Sequence, residues 1–319
     1  MNMKRNILLA AMAAFGLAAS AQSTVYMTRE ISPEALVRIY EALGRPADGH
    51  RVAVKISTGE GGNNHYLKPE LIKDLVYKVN GTIVECNTAY PGSRNTSEAH
   101  WQTIRDHGFA DYFVCDLMDE EGDMKIPVKD RKHLKYNIVG NHLPRYDYMV
   151  NLAHFKGHQM GGFGGVLKNA SIGVASSAGK AYIHSAGATE NVDDRRVFDT
   201  DQDSFLESMA AAAQAVDEYF GDNIVYINVM NNMSVDCDCN GHPAAPVLKD
   251  YGILASTDPV ALDKACTDII FNMTPGEGND NAPLIERINS RHGLHTIDRA
   301  AEIGLGSKEY TIVDLDAAK

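Results

Sequence analysis

The sequence predicts an α/β fold: a mostly parallel sheet with flanking helices and a long glycine-rich functional loop. Three observations carry this. Runs rich in Val, Ile and Tyr alternate with helical segments, as in chains that build parallel sheets. The 319 residues are 44% hydrophobic and 23% charged, enough for a full core and too apolar for a disordered chain. Eight glycines crowd residues 155–188 and break the alternation, and a long irregular stretch inside a compact domain is more often functional than incidental.

Taken in order, strands are expected at Arg51 to Ile56, Thr82 to Cys86, Tyr112 to Cys115, Tyr146 to Leu152, Asn223 to Val229 and Tyr310 to Val313. Ser32-Pro33 opens a helix over Glu34 to Leu43, and Pro69 opens one over Glu70 to Val79, because proline suits the first helical position, where its missing N–H costs nothing. An alanine run marks Asp203 to Phe220 as helical. Asp258-Pro259 repeats the cap-then-proline signal before Val260 to Phe271, and Ala282 to Arg291 and Ile297 to Ile303 add two more helices. No repeat or linker divides residues 22–319, which read as a single α/β domain, with proteolysis expected first near Gly161 to Gly165.

Residues 1–21 read as a signal peptide: Lys4 and Arg5, the apolar run Ile7 to Ala19, then the small-residue end Ala19-Ser20-Ala21. The expectation is an exported, periplasmic or secreted protein with no membrane insertion after cleavage. The formal charge is −12, from 30 basic and 42 acidic residues, and removing Lys4 and Arg5 takes it to −14. Such a chain repels nucleic acid. Five cysteines in an oxidising compartment leave at least one thiol free, buried or metal-bound; Cys86 and Cys115 sit in apolar runs and read as core residues.

Several familiar motifs fail on spacing. Gly173 to Lys180 has five residues between its glycines where a phosphate loop needs four, and Ala181 replaces the hydroxyl residue. Asp199 to Asp203 begins like a calcium loop, but Ser204 replaces the turn glycine. His154 and His158 have zinc-helix spacing with Lys156 in place of the general-base Glu. No four-cysteine run is present, so an iron–sulfur cluster is not expected.

What survives is a constellation. His154, Lys156, His158, Lys168, Lys180 and His184 stand among glycines that let backbone approach a ligand; imidazoles bind metals and lysines bind carboxylates or phosphates. After the predicted strand Asn223 to Val229 comes Asp236-Cys237-Asp238-Cys239, where continued extended backbone would turn both thiols to one face, with Asp236 and Asp238 raising a negative charge that a cation would offset. The pair is either two ligands of a divalent transition metal, whether zinc, iron or nickel, completed by His242 or by one of His154, His158 and His184, or a redox or structural pair without metal. Asp258 reads as a helix cap, and Asp263 is a candidate proton acceptor.

The blocks VAVKIS, AHFKGHQMGGFGGVLKNASIGVAS and DCDCNGHPAAPVLKDYGILASTDPVALDKA together resemble the domain of unknown function 362 family, often labelled iron–sulfur centre proteins, over roughly Val52 to Phe271. The resemblance places family positions on Lys156, His158, Lys168, Asn169, Gly173, Cys237, Cys239, Asp258, Pro259 and Asp263. The cluster behind the iron–sulfur label belongs to members with an added ferredoxin-like cysteine run, which this sequence lacks. The block of His, Gly-Gly and Lys is also loosely similar to nickel-dependent lactate racemases, in which histidines and a lysine hold a nickel-pincer nucleotide. The expected function is a metal-dependent enzyme acting on a small anionic molecule, with Lys168 and Asp263 in catalytic roles and Lys156, Gly164, Gly165, Asn169 and Gly173 around the ligand. A metal or ligand carrier, or a thiol redox protein using Cys237 and Cys239, are the alternatives. The sequence names no protein partner.

Overall fold

The computed structural model describes residues 22–317, and the expected signal peptide at 1–21 lies outside the described residues. The elements run β1 (Ser23–Thr28), α1 (Pro33–Ala42), β2 (Val52–Lys55), α2 (Pro69–Lys78), β3 (Thr82–Glu85), α3 (Ser97–Asp106), α4 (Phe109–Tyr112), β4 (Cys115–Leu117), β5 (Asp123–Pro127), β6 (Tyr136–Gly140), β7 (Tyr148–His154), β8 (Lys156–His158) and β9 (Gly162–Gly164). They continue α5 (Val166–Ser171), α6 (Ser177–His184), α7 (Gln202–Phe220), β10 (Ile224–Met230), β11 (Gly252–Ser256), α8 (Pro259–Asn272), α9 (Ala282–Ser290), α10 (Leu294–Glu302) and β12 (Tyr310–Asp314).

Eight strands form one sheet in the order β12-β1-β11-β10-β7-β2-β3-β4. Only β11 runs against the rest of it. β7 and β10 are buried at every position, which is why they read as unbroken apolar runs. Period-two alternation then sorts their side chains between two layers. Tyr148, Val150, Leu152, Val225, Ile227 and Val229 pack against Leu36, Ile39, Ile72, Leu75 and Ile104 from α1 to α3. Met149, Ala153, Tyr226 and Met230 face Val166, Leu167, Phe205 and Val260 of α5, α7 and α8.

The caps follow the sequence signals. Ser32 Oγ accepts from the Ala35 N–H at 3.0 Å, and Asp258 Oδ1 accepts from the N–H groups of Val260 and Ala261 at 2.9 and 3.0 Å, each cap stabilising its helix by about 1 kcal/mol. Two local expectations shift. Tyr112 closes α4 and the neighbouring strand begins only at Cys115; α3 was not expected, because its buried face is just His100, Thr103 and Ile104, too thin a stripe to stand out.

The glycine-rich stretch carries more regular structure than its composition suggests. It forms the β8–β9 hairpin followed by α5 and α6, and residues 161–165 are buried rather than open to a protease. Close packing explains the glycines: a methyl at Gly157 would stand 2.2 Å from the Val235 carbonyl oxygen, and one at Gly179 would stand 1.9 Å from that of Ile138.

Candidate functional site at the carboxyl edge of the sheet

β2, β3 and β7 are parallel and end side by side in Lys55, Glu85 and His154, at the edge where open α/β sheets hold their ligands. A cavity of about 390 Å³ opens there, walled by these strand ends, by the β8–β9 hairpin, by α5 and α6, and by the segment Cys237-Asp238-Cys239. One wall is a buried ion-pair chain. Lys55 Nζ lies 2.8 Å from Glu85 Oε2, and Arg94 reaches Glu85 Oε1 at 3.3 Å and Glu60 Oε2 at 3.2 Å. Burial alone would raise the Glu85 pKa, but the Lys55 and Arg94 charges overcome it and hold the carboxyl at about 2. Asn169, from α5, donates to the Lys55 carbonyl at 2.9 Å and to Asn151 Oδ1 at 2.7 Å, tying that helix to the sheet.

Asp238 is the centre of the opposite wall. Its carboxylate meets Lys156 Nζ at 2.7 Å and His154 Nδ1 at 2.9 Å, while His154 Nε2 faces the Asn231 carbonyl at 2.6 Å. Burial opposes the Asp238 charge, yet His154 and Lys156 together hold its pKa far below the usual carboxylate range. Two readings of the sequence change here. Both ring nitrogens of His154 are engaged with acceptors, so it is not placed as a metal ligand. The negative charge of the two acids is met by side chains rather than by an ion, since Asp236 also has Arg287 at 3.3 Å.

Cys237, Cys239 and His158 do converge: one ligand atom from each lies within 4.8 Å of the others. The cysteines are joined as a disulfide, and Cys239 Sγ is 3.9 Å from His158 Nε2. His158 Nδ1 accepts from the N–H groups of Gly161 at 2.8 Å and Met160 at 3.2 Å, so the neutral ring carries its proton on Nε2, toward the sulfurs. Burial and then the charge of Lys168 keep that ring neutral by pushing its pKa well down. A disulfide offers no thiolate, and a metal-binding imidazole normally donates from its second nitrogen, where His158 accepts. The oxidised group therefore does not fit a metal ion; reduced, it supplies two sulfurs and one nitrogen of zinc-type character. His184 lies outside this group. It stacks on Phe205 at 4.7 Å between ring centres, and burial, then Lys168 and Lys180, lower its pKa to about 3.

The remaining candidates divide. Lys168 lines the cavity, and its Nζ has no hydrogen bond or ion pair among the described residues; burial, and then the Lys156 charge, bring its pKa down to about 7. Lys180 donates to the carbonyls of Ala175 at 2.6 Å and Cys86 at 3.4 Å and has no carboxylate partner within ion-pair distance. Gly164, Gly165 and Gly173 also line the cavity. Asp263 does not. It is fully buried, and its oxygens accept from the N–H groups of Val166 at 3.0 Å and Leu167 at 2.9 Å and from Asn228 Nδ2 at 2.7 Å. In place of the proton-acceptor role read from the sequence, the structure gives it the start of α5 to hold. Burial raises its pKa to about 6 against those three donors. Lys55, Glu85 and Arg94 were missed, although a lysine ending the apolar run VAVK is a signal that a charge is wanted at that strand end.

The family profile described as Domain of unknown function (DUF362) matches residues 52–268, more than half of the chain. The chain belongs to this family. The DUF362 span takes in every cavity residue named above, from Lys55 to Cys239, and also Asp263. No curated protein matches. Among solved structures, the lactate racemase apoprotein from Thermoanaerobacterium thermosaccharolyticum is similar at 16% identity and a TM-score of 0.38, over 64% of this chain and 50% of that one. A crystal structure of a Thermotoga maritima protein is similar at 14% identity and a TM-score of 0.42, over 73% of this chain and 57% of that one. The DUF362 chain thus spans between half and three fifths of their lengths.

Proposed function

We propose that this protein binds a small anionic organic molecule in the cavity and acts on it chemically, with Lys168 meeting the anion's charge. The observation that carries the reading is a charge imbalance: the cavity is lined by Lys55, Arg94, Lys156, Lys168 and Lys180 but by only two carboxylates, Glu85 and Asp238. Lys55, Arg94 and Lys156 have acidic partners, while Lys168 and Lys180 do not. Cations left without a counter-ion in a cleft with low-dielectric walls focus their field on an incoming anion. Isothermal titration with a panel of small mono- and dicarboxylates and inorganic phosphate tests this. Saturable binding weakened by Lys168→Met supports it; no binding by any member rejects it.

A second reading, that the reduced Cys237, Cys239 and His158 hold a divalent metal, is favoured by their convergence. When bound, such an ion would supply Lewis-acid polarisation at the cavity wall. Elemental analysis after reduction and exposure to zinc, set against the Cys237→Ser/Cys239→Ser variant, tests it. The disulfide also supports the proposal that the protein is exported to the periplasm or beyond, since such bonds persist in oxidising compartments. Among the described residues no helix is long and apolar enough to cross a membrane.

A further inference from the structure

Four lysines face this cavity, and their surroundings differ in kind. Lys55 Nζ is enclosed by Glu85, the Ile56 carbonyl and Asn169 Oδ1. Lys156 Nζ is held by Asp238 and the His154 carbonyl, each at 2.7 Å. Lys180 is anchored on two carbonyls, which fix its position without neutralising it. Lys168 alone among them has no acceptor within reach among the described residues. Its stem lies beside that of Lys156: a methyl built on Gly164 would touch Lys156 Cε at 3.6 Å and Lys168 Cδ at 3.7 Å. A cation next to a partly desolvated amine is the arrangement that turns lysine into a nucleophile, because the neighbouring charge opposes protonation.

We infer that Lys168, after its ammonium has drawn the anion in and given up its proton, is an amine nucleophile that forms an imine with the carbonyl carbon of a small 2-oxo acid, while Lys180 keeps hold of the acid's carboxylate. This rests on the anion-binding reading above and names the substrate class. The nitrogen lone pair of Lys168 forms the new C–N bond, and the carbonyl π electrons pass to oxygen. The C–O bond then breaks, and that oxygen departs as water carrying the two protons the amine gives up. The protons that the nitrogen loses are the ones that the departing oxygen takes up, so no net acid is consumed. A Lys168 pKa of about 7 leaves a substantial share of the amine uncharged at neutral pH.

The test incubates the purified protein with pyruvate, glyoxylate or 2-oxoglutarate in the presence of sodium cyanoborohydride, which reduces an imine to a stable amine, and locates the adduct by peptide mass spectrometry. Binding of lactate and succinate, which lack the carbonyl, is measured by titration calorimetry in the same buffer. One adduct on Lys168, forming faster as pH rises through about 7 and lost in Lys180→Met, is the expected result. The wild-type peptide map answers the question even where a variant is poorly folded. Binding of lactate or succinate without an adduct, or label spread over surface lysines, overturns the imine and leaves the anion reading standing. No binding and no adduct overturns both.

Discussion

Lys156 and Lys168 flank the same glycine, their carbon stems each within 3.7 Å of where a Gly164 methyl would stand, yet only Lys156 has a counter-ion, Asp238 at 2.7 Å. The pairing settles which of the two amines is structural. Lys156 holds the wall together, and on the reading proposed above Lys168 is left to a ligand.

Asp238→Asn removes the charge that Lys156 and His154 share. Deleting one member of a buried pair strands the other, at a cost of about 3 kcal/mol or more. Thermal unfolding of the variant should show a midpoint well below wild type, whereas an unchanged midpoint would mean that the pair contributes little.

Gly165→Ala tests Asp263 as the anchor of α5. The new methyl would stand 2.3 Å from Asp263 Oδ1, an atom held by Val166 N–H and Asn228 and not free to retreat. Overpacking at such a point costs about 2 kcal/mol, read as a lowered denaturation midpoint.

Acid stability reports on Glu85. Its pKa is depressed from 4.5 to about 2 in the fold, so its contribution is complete above pH 4.5 and is lost as pH falls toward 2. Glu85→Gln should flatten this part of the stability profile, measured by denaturant titration at stepped pH.

Protease access and thiol counts test the surroundings. Trypsin should cut first at the exposed Arg195 and Arg196, ahead of any site in the buried glycine hairpin. Denatured, unreduced protein should titrate three thiols, Cys86, Cys115 and Cys266, and five after reduction. Five thiols without reductant would remove the disulfide from the account.

Much of this was legible in the sequence because its causes are local. The proline-opened helices and the fully buried strands β7 and β10 each announce themselves within a dozen residues, and the CxC segment and the lysine block mark the site. What was hidden depends on partners far along the chain. Nothing near Asp263 says that its oxygens reach α5 nearly a hundred residues away, and nothing near His154 says that Asp238 and Asn231 take both ring nitrogens. The glycines misled for the same reason: Gly157 is small because Val235 is close, a fact of packing and not of mobility. Arg94 lies in a turn with no motif around it, and only the fold brings it to Glu85 and Glu60.

The most direct test of the central claim is calorimetric titration of wild type and Lys168→Met with small carboxylates, alongside their thermal unfolding. Lys168 carries its charge below pH 7 and loses it above, so wild-type affinity should fall as pH rises through about 7. The variant should bind about tenfold or more weakly. It should also be at least as stable as wild type, because an unpaired, partly buried charge is removed. Equal affinity in the two proteins, or a variant that loses stability while binding unchanged, would contradict the account by making Lys168 a structural residue.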